Sequence, residues 1–211
     1  MFLALGLTAS TAYLFATTES LMMMLINPET GGMSITGWIV MLAPLGLVLL
    51  MAAGIQKLSA TAMVLVFVLY SILMGASLSF IFLAYTGASI AKTFVITSAM
   101  FGFMAFIGYT TKTDLTKFGS LMMMGLVGII IASVVNMFMR SGTMDYIISF
   151  LGVLIFTGLT AYDVQKLKRI GAGMNGENET TRKLTIMGAL TLYLDFINLF
   201  LFLLRFFGNR R

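Results

Sequence analysis

The sequence predicts an all-α membrane protein, a bundle of seven transmembrane helices. Of its 211 residues, 59% are hydrophobic and 10% are charged, whereas soluble domains carry about 25% charged residues. Charge-free stretches recur along the chain, and each is long enough for the roughly 20 residues that a helix needs to cross a bilayer. The longest polar stretch, about 164–183, is too short for a separate soluble domain. We therefore predict a single integral membrane domain over residues 1–211, with a loop at about 164–183.

The predicted helices follow from those stretches, taken in order along the chain. The charge-free run from Leu58 to Ala91 is too long for one span. We divide it at Tyr85–Ser89, whose small and polar residues favour a break. Short connections between the later helices predict antiparallel neighbours. The predicted helices lie at about 2–25, 34–56, 60–83, 89–110, 118–139, 145–165 and 184–207.

The basic residues indicate the orientation of these helices, because cytoplasmic loops carry an excess of Lys and Arg. One set of alternate loops is richly basic, and the other holds little beyond Lys92 and Arg140. The basic set comprises Lys57, Lys112, Lys117, Lys166, Lys168, Arg169, Arg182 and Lys183. We therefore predict a cytoplasmic N-terminus and a cytosolic 164–183 loop. We prefer a last helix that crosses despite its tail of Arg210 and Arg211, and the alternative is a re-entrant helix that keeps this tail inside.

Composition excludes several classes of chemistry. The chain has no Cys and no His, which removes disulfides, the usual zinc sites and serine–histidine or cysteine–histidine catalysis. The net charge of +5 arises from loops and helix ends, where lipid headgroups account for it. We expect the lipid bilayer as a partner, no nucleic acid partner and no cofactor.

Two aspartates stand apart from the other acidic residues. Asp195 follows eleven uncharged residues and precedes nine more, although a carboxylate at membrane depth costs about 2.5–3.5 kcal/mol. Asp163 ends a charge-free run that begins at Tyr146. Each aspartate directly follows or closely follows a tyrosine, Tyr162 or Tyr193, in the segments TAYDVQKL (160–167) and LYLDFINL (192–199). If the last two helices pair antiparallel, the two carboxyl groups face each other.

Two facing carboxylates in a low dielectric cannot both ionise cheaply, so they would share a proton and titrate as a coupled pair. Deprotonated, the pair would repel and attract a cation, and calcium favours carboxylate oxygens. We therefore treat Asp163 and Asp195 as a pH sensor, a gate and a partial calcium site. Lys57 or Arg205 would serve as counter-ion, and Tyr162, Tyr193 and Asn198 would support the pair. Two plainer alternatives remain open, in which Asp163 is an interfacial residue beside Lys166 and Asp195 is a structural hydrogen-bonding group.

The segments FTGLTAYDVQKLK (156–168) and LTLYLDFINLFLFLLRFFG (190–208) resemble the Bax inhibitor family, whose members carry the transmembrane Bax inhibitor motif. The resemblance implies seven helices with the last one central. It also implies a proton-sensitive calcium leak whose latch acids match Asp163 and Asp195. Lys57 is the nearest match to an arginine that some members link to the latch. A second-helix glutamate of some members has no counterpart here, since Ala43, Pro44 and Gly46 occupy that region. The resemblance further suggests a multi-pass protein of a bacterial inner membrane.

Two other functions stay open beside the predicted calcium leak. Some bacterial relatives are associated with a membrane protease, so the bundle could instead regulate such a protease or a cell-death partner. A second alternative is an intramembrane aspartyl protease, because two aspartates can act as acid and base. Such proteases also carry Tyr-Asp, as at Tyr162-Asp163, but they need Gly-x-Gly-Asp on the next helix. The chain reads Leu192-Tyr193-Leu194-Asp195 there, and we therefore predict that the protein is not an enzyme.

Overall fold

The computed structural model describes residues 1–27, 30–173 and 178–209, and it is helical almost throughout. Long apolar helices alternate with short connections. In chain order the helices are α1 (Phe2–Thr17), α2 (Glu19–Leu25), α3 (Ile35–Gly54), α4 (Ala60–Leu78), α5 (Ile81–Ala84), α6 (Gly87–Thr110), α7 (Thr116–Met139), α8 (Gly142–Ala172) and α9 (Glu179–Phe207).

Within the described ranges, six helical segments are long and apolar enough to cross a membrane. These are α3, the continuous segment Ala60–Ala84 that contains α4 and α5, and α6 to α9. Helix α1 is apolar but shorter. The predicted membrane helical bundle is therefore confirmed, while the count of seven and the central position of the last helix stay predictions.

The first predicted helix, 2–25, is divided into α1 and α2. Thr18 between them is extended, with φ −104° and ψ 105°. The Thr17 hydroxyl donates to the Tyr13 carbonyl at 2.8 Å, so its side chain competes for a carbonyl that helical backbone normally uses. Two consecutive β-branched residues with polar side chains thus provide a local reason for the break.

Most of the described residues in the polar segment predicted as a loop at about 164–183 are helical, and that part of the prediction is wrong. Residues 174–177 of the segment lie outside the described ranges. Helix α8 continues to Ala172 and α9 already begins at Glu179. The residues of the segment VQKLKRIGA include several strong helix formers and no proline, so the helix need not end where the apolar stretch ends. Hydropathy marks the extent of the membrane-compatible residues, not the end of the backbone hydrogen-bond ladder.

One compact unit comprises the described residues 1–85 and 178–190. In it α4 packs against α1 and α3, and α2 packs against α3. Gly75 of α4 lies against the α1 backbone, where an added Cβ would be 2.5 Å from the Thr8 carbonyl oxygen. The Thr8 hydroxyl donates to the Ser71 carbonyl at 2.9 Å. Small residues therefore allow the close helix approach that is typical of membrane proteins.

The second compact unit comprises the described residues 86–173 and 191–209. Here α8 packs against both α6 and α7. Phe196 of α9 makes edge-to-face contacts with Phe94 and Phe101 of α6, at ring-centroid distances of 5.6 and 5.5 Å. Phe202 of α9 stacks on Phe156 of α8 at 5.8 Å. This unit holds both aspartates that the sequence singles out.

Candidate functional site

The structure brings Asp163 of α8 and Asp195 of α9 together. Their carboxyl groups lie within hydrogen-bonding reach of each other. Both residues are buried, with 8% of Asp163 and 4% of Asp195 exposed. The alternative of Asp163 as an interfacial residue does not fit this degree of burial. The antiparallel pairing of the last two helices thus places the two acids as the sequence predicts.

Close packing of α8 holds Asp163 in position. The α8 backbone at Ala161 lies directly against Gly108 of α6, where no Cβ could be accommodated without a shift. The ring of Tyr162 covers Gly119 of α7 in the same way. Tyr162 therefore packs on α7, and Tyr193 on α9 is completely buried. Their supporting roles stay predictions. The glycines explain how helices carrying bulky side chains approach one another closely enough at this depth.

One carboxyl oxygen of the pair lacks a hydrogen-bond donor among the described residues. Asp195 Oδ2 is buried, and no N–H or O–H group of the described residues donates to it. A carboxylate oxygen buried without a donor is costly. The neighbouring group is the Asp163 carboxyl, which can donate only when it carries a proton. The arrangement therefore calls for a shared proton or for a bound cation.

A cavity of about 530 Å³ lies beside the pair. Its walls are side chains of α7, α8 and α9, and most of them are apolar. Asp163, Asp195 and Asn198 contribute its polar end. Asn198 is thus placed where the sequence predicts a supporting residue, next to the aspartates along one side of α9.

Arg205, one of the two predicted counter-ions, does not lie at the pair. Arg205 is ten residues beyond Asp195, about 15 Å along the helix, and its guanidinium faces the Phe202 ring at 5.8 Å. Lys57, the other one, belongs to the first unit, between α3 and α4, and its role as counter-ion stays a prediction. Over the ranges that the structure describes, the ion pairs are Arg169–Asp114 at 2.8 Å and Lys183–Glu179 at 3.4 Å, so neither predicted residue forms one.

The basic residue nearest to Asp163 along α8 is Lys166, one turn further on. Its ammonium also lies 5.9 Å from the centre of the Tyr162 ring. The spacing of three residues places the two side chains on neighbouring positions of the helix surface. The sequence offers this signal directly, since Lys166 is the first charge after Asp163.

A second polar cluster, which sequence reasoning missed, connects the end of α8 to the α6–α7 connection. Gln165 accepts from the Leu115 amide at 2.9 Å and donates to the Thr113 carbonyl at 2.8 Å. Arg169 donates to Gln165 and to Asp114, both at 2.8 Å. We call these five residues the α8 clamp. The α8 residues of the clamp are about fifty residues away in sequence from those of the α6–α7 connection, so no local spacing indicates the cluster.

Metal binding by this site would be partial. Calcium takes about 6–8 oxygen ligands, whereas the described residues contain no group of three or more acidic, His or Cys side chains that could hold an ion. Two carboxylates alone suit a cation that passes or binds weakly. The predicted role of Asp163 and Asp195 as a partial calcium site stays a prediction.

The fold and the aspartate pair define a multi-pass α-helical membrane protein in which two carboxyl groups are buried side by side. A family model described as "Inhibitor of apoptosis-promoting Bax1" matches residues 1–211. The chain belongs to this family, the Bax inhibitor family, as its sequence motifs predicted.

Three relatives illustrate the breadth of the similarity. The chain is 49% identical to the inner membrane protein YbhL of Escherichia coli strain K12, over 100% of this chain and 88% of that protein. It is 46% identical to an uncharacterized protein of Borreliella burgdorferi, over 99% and 89% of the two chains. An uncharacterized protein of Caulobacter vibrioides is 43% identical, over 99% and 85%.

Proposed function

We propose that this protein is a pH-sensitive cation leak, with calcium as the permeant ion and the Asp163–Asp195 pair as its gate. The observation that carries the proposal is the buried pair itself. Two carboxyl groups lie within hydrogen-bonding reach, and Asp195 Oδ2 has no donor among the described residues. Intramembrane acids commonly mark ion pathways and proton sites.

The gating mechanism follows from the two states of the pair. With a shared proton, one carboxyl donates to the other, and the hydrogen bond ties α8 to α9. Without that proton, two like charges face each other at low dielectric, so they separate or attract a cation. Because few other acidic groups surround the pair, a cation that enters is not retained. Proton binding and cation entry are thus alternative ways to satisfy the same oxygens.

The similarity to YbhL supports a location in a bacterial inner membrane. The excess of basic residues in alternate connections supports a cytoplasmic N-terminus. Under this orientation the α8 clamp and Lys166 belong to the cytoplasmic side. The test is a reporter inserted at the α6–α7 connection. We expect the reporter to be accessible only from the cytoplasm. Accessibility only from the outside would contradict the orientation.

The test is calcium flux into proteoliposomes loaded with a calcium dye, measured from about pH 6 to about pH 8. We expect the flux of the wild-type protein to change with pH. Asp195→Asn and Asp163→Asn should each give a flat profile, because an amide neither shares nor loses the proton. Glu19→Gln is the matched control, since it removes an exposed acid at the start of α2 in the other unit.

Two outcomes would contradict the leak. One is a wild-type protein that is correctly folded in vesicles and carries no calcium. The other is a pH-dependent flux that both aspartate variants retain. In either case the aspartate pair would require another role, and partner capture by crosslinking would then test the alternative of a regulator of a membrane protease.

The proposal also holds that the protein is not an enzyme. A pair of aspartates in hydrogen-bonding reach is the arrangement that an aspartyl protease uses, so this geometry keeps the alternative open to test. Bulky side chains at Leu192 and Leu194 stand in place of the two glycines that such a protease needs before its aspartate. We expect no cleavage of a model transmembrane substrate. Cleavage that either Asp→Asn variant abolished would overturn this part of the proposal.

A further inference from the structure

The cavity beside the aspartate pair is a groove that opens sideways into the bilayer. One wall consists of α7 residues, among them Met123, Ile130 and Val134. These three side chains are 49%, 54% and 53% exposed although they line the cavity. Exposed side chains of a transmembrane helix face lipid, so a ligand would enter this groove from the hydrocarbon phase. We call it the lateral groove.

The lateral groove has the size of a small-molecule site. Its volume of about 530 Å³ falls within the range of roughly 300–1,000 Å³ that such sites show. Phe156 of α8 and Leu194 and Phe202 of α9 complete its apolar surface. An aliphatic or aromatic tail would therefore find continuous apolar contacts along it.

The polar end of the lateral groove offers acceptors and few donors. The Asn198 amide donates to the Leu194 carbonyl at 2.8 Å, and the Ser133 hydroxyl donates to the Ile129 carbonyl at 2.7 Å. The Ser133 hydroxyl and one of the two Asn198 N–H groups are therefore used within their own helices. Thr191, which also lines the cavity, has a partner of its own. Asp195 Oδ2, in contrast, is buried at this end, and the described residues supply it with no donor.

These features select the charge of a ligand. An anionic head such as a carboxylate or phosphate would bring a further negative charge beside two aspartates, and the one remaining Asn198 N–H offsets that repulsion only in part. A neutral alcohol could donate one hydrogen bond but would bring no charge. A protonated primary amine supplies both N–H donors and a positive charge, which makes the stronger charge-assisted hydrogen bond to a carboxylate.

We propose that the lateral groove binds protonated lipophilic amines from the bilayer, with the ammonium on Asp195 and the tail along α7. The ammonium takes the position that a shared proton or a permeant cation takes in the proposed leak. The inference therefore rests on the same aspartate pair as the proposed function, and it names a ligand class for that site. It does not require that any ion crosses the membrane.

The experiment is photolabelling of the protein in neutral phosphatidylcholine nanodiscs. The probe is dodecylamine with a diazirine near the end of its tail, and the matched probe is the dodecanol that carries the same diazirine. Labelled peptides are identified by mass spectrometry. We expect the amine to label residues of α7 around Ile130 and Val134, and the alcohol to label them at the background level of lipid-facing helix.

Two kinds of variant test the head and the tail of the ligand separately. Asp195→Asn should lower amine labelling about tenfold or more, as loss of a charge-assisted hydrogen bond implies. Val134→Trp should lower labelling by filling the lateral groove without touching the aspartates. Val127→Trp is its matched control, because Val127 is an exposed α7 residue outside the cavity lining, and it should label like the wild type.

Equal labelling by amine and alcohol would overturn the inference. So would equal amine labelling of the wild type, Val134→Trp and Val127→Trp. The comparison of the two tryptophan variants decides the question even if Asp195→Asn does not fold. Specific amine labelling of a protein that carries no calcium would refute the leak and leave this inference standing, whereas pH-gated flux without specific labelling would do the reverse.

Discussion

Replacing Gln165 with Leu removes the side chain that connects α8 to the α6–α7 connection. Gln165 is 5% exposed and makes two hydrogen bonds to that backbone, to the Leu115 amide and the Thr113 carbonyl. Leucine has a similar size, so the change deletes hydrogen bonds without leaving a large cavity. The perturbation therefore tests the α8 clamp and little else.

The magnitude follows from those bonds. A hydrogen bond between neutral groups contributes about 0.5–1.5 kcal/mol net, so loss of two costs about 1–3 kcal/mol in the free energy of unfolding. The third bond, from Arg169, adds little because the Arg169 side chain is half exposed and retains its contact with Asp114. We expect the Leu115 amide to exchange its hydrogen faster, since its acceptor is gone.

The assay is reversible unfolding in mixed micelles together with hydrogen exchange of residues 111–115. Gln165→Glu should be intermediate, because it keeps an acceptor for Leu115 and loses the donor to Thr113. Lys112→Ala, an exposed change in the same connection, is the control. The reasoning fails if Gln165→Leu changes the free energy of unfolding by less than about 0.5 kcal/mol, the usual range of a surface substitution, and leaves exchange at Leu115 unaltered.

Two further predictions concern packing and pH. Gly108→Val should destabilise the protein by about 1–3 kcal/mol or more, because the new side chain meets the Ala161 backbone. Gly102→Val is the control, because an added Cβ there meets open space. Equal unfolding curves for the two variants would contradict the close approach of α6 and α8. Hydrogen bonds from the Thr116 side chain and backbone, with a smaller contribution from Arg169, hold the pKa of Asp114 well below its ordinary 3.8. The contribution of Asp114 to stability is therefore present above that value and lost only as the pH falls through the lowered pKa. Asp114→Asn should thus leave the shape of the flux profile at neutral pH unchanged, and a flat profile would show that the pH sensor extends beyond the aspartate pair.

The membrane class, the approximate helices and the aspartate pair could all be predicted from sequence. A helix that crosses a bilayer must consist of a long apolar segment, and such a segment can be recognised from consecutive residues of the sequence. Asp195 is conspicuous for the same reason, since one charge among twenty uncharged and mostly apolar residues needs a partner. Asp163 lies near the end of α8, just before the connection that leads to α9. Antiparallel pairing of α8 and α9 therefore already suggests a contact between Asp163 and Asp195.

Other features could not be predicted because they depend on contacts between distant residues. Arg205 looked like a counter-ion by its charge, but the helical rise separates it from Asp195 and the Phe202 ring receives it instead. The α8 clamp joins positions about fifty residues apart. The end of α8 was misjudged because apolar character ceases near Asp163 while the helix, which needs only suitable backbone propensity, continues to Ala172.

The sequence by itself determined that this chain lies in a membrane as helices and that two carboxyl groups must be satisfied within it. Both conclusions follow from the cost of transferring polar groups into hydrocarbon, which each segment incurs independently. Only the tertiary structure decided which groups satisfy them and what space lies beside them. Three features arise where side chains from different helices meet, and their geometry depends on how the helices pack. These are the Asp195 oxygen that receives no hydrogen bond from the described residues, the glycine contacts of α8 and the lateral groove.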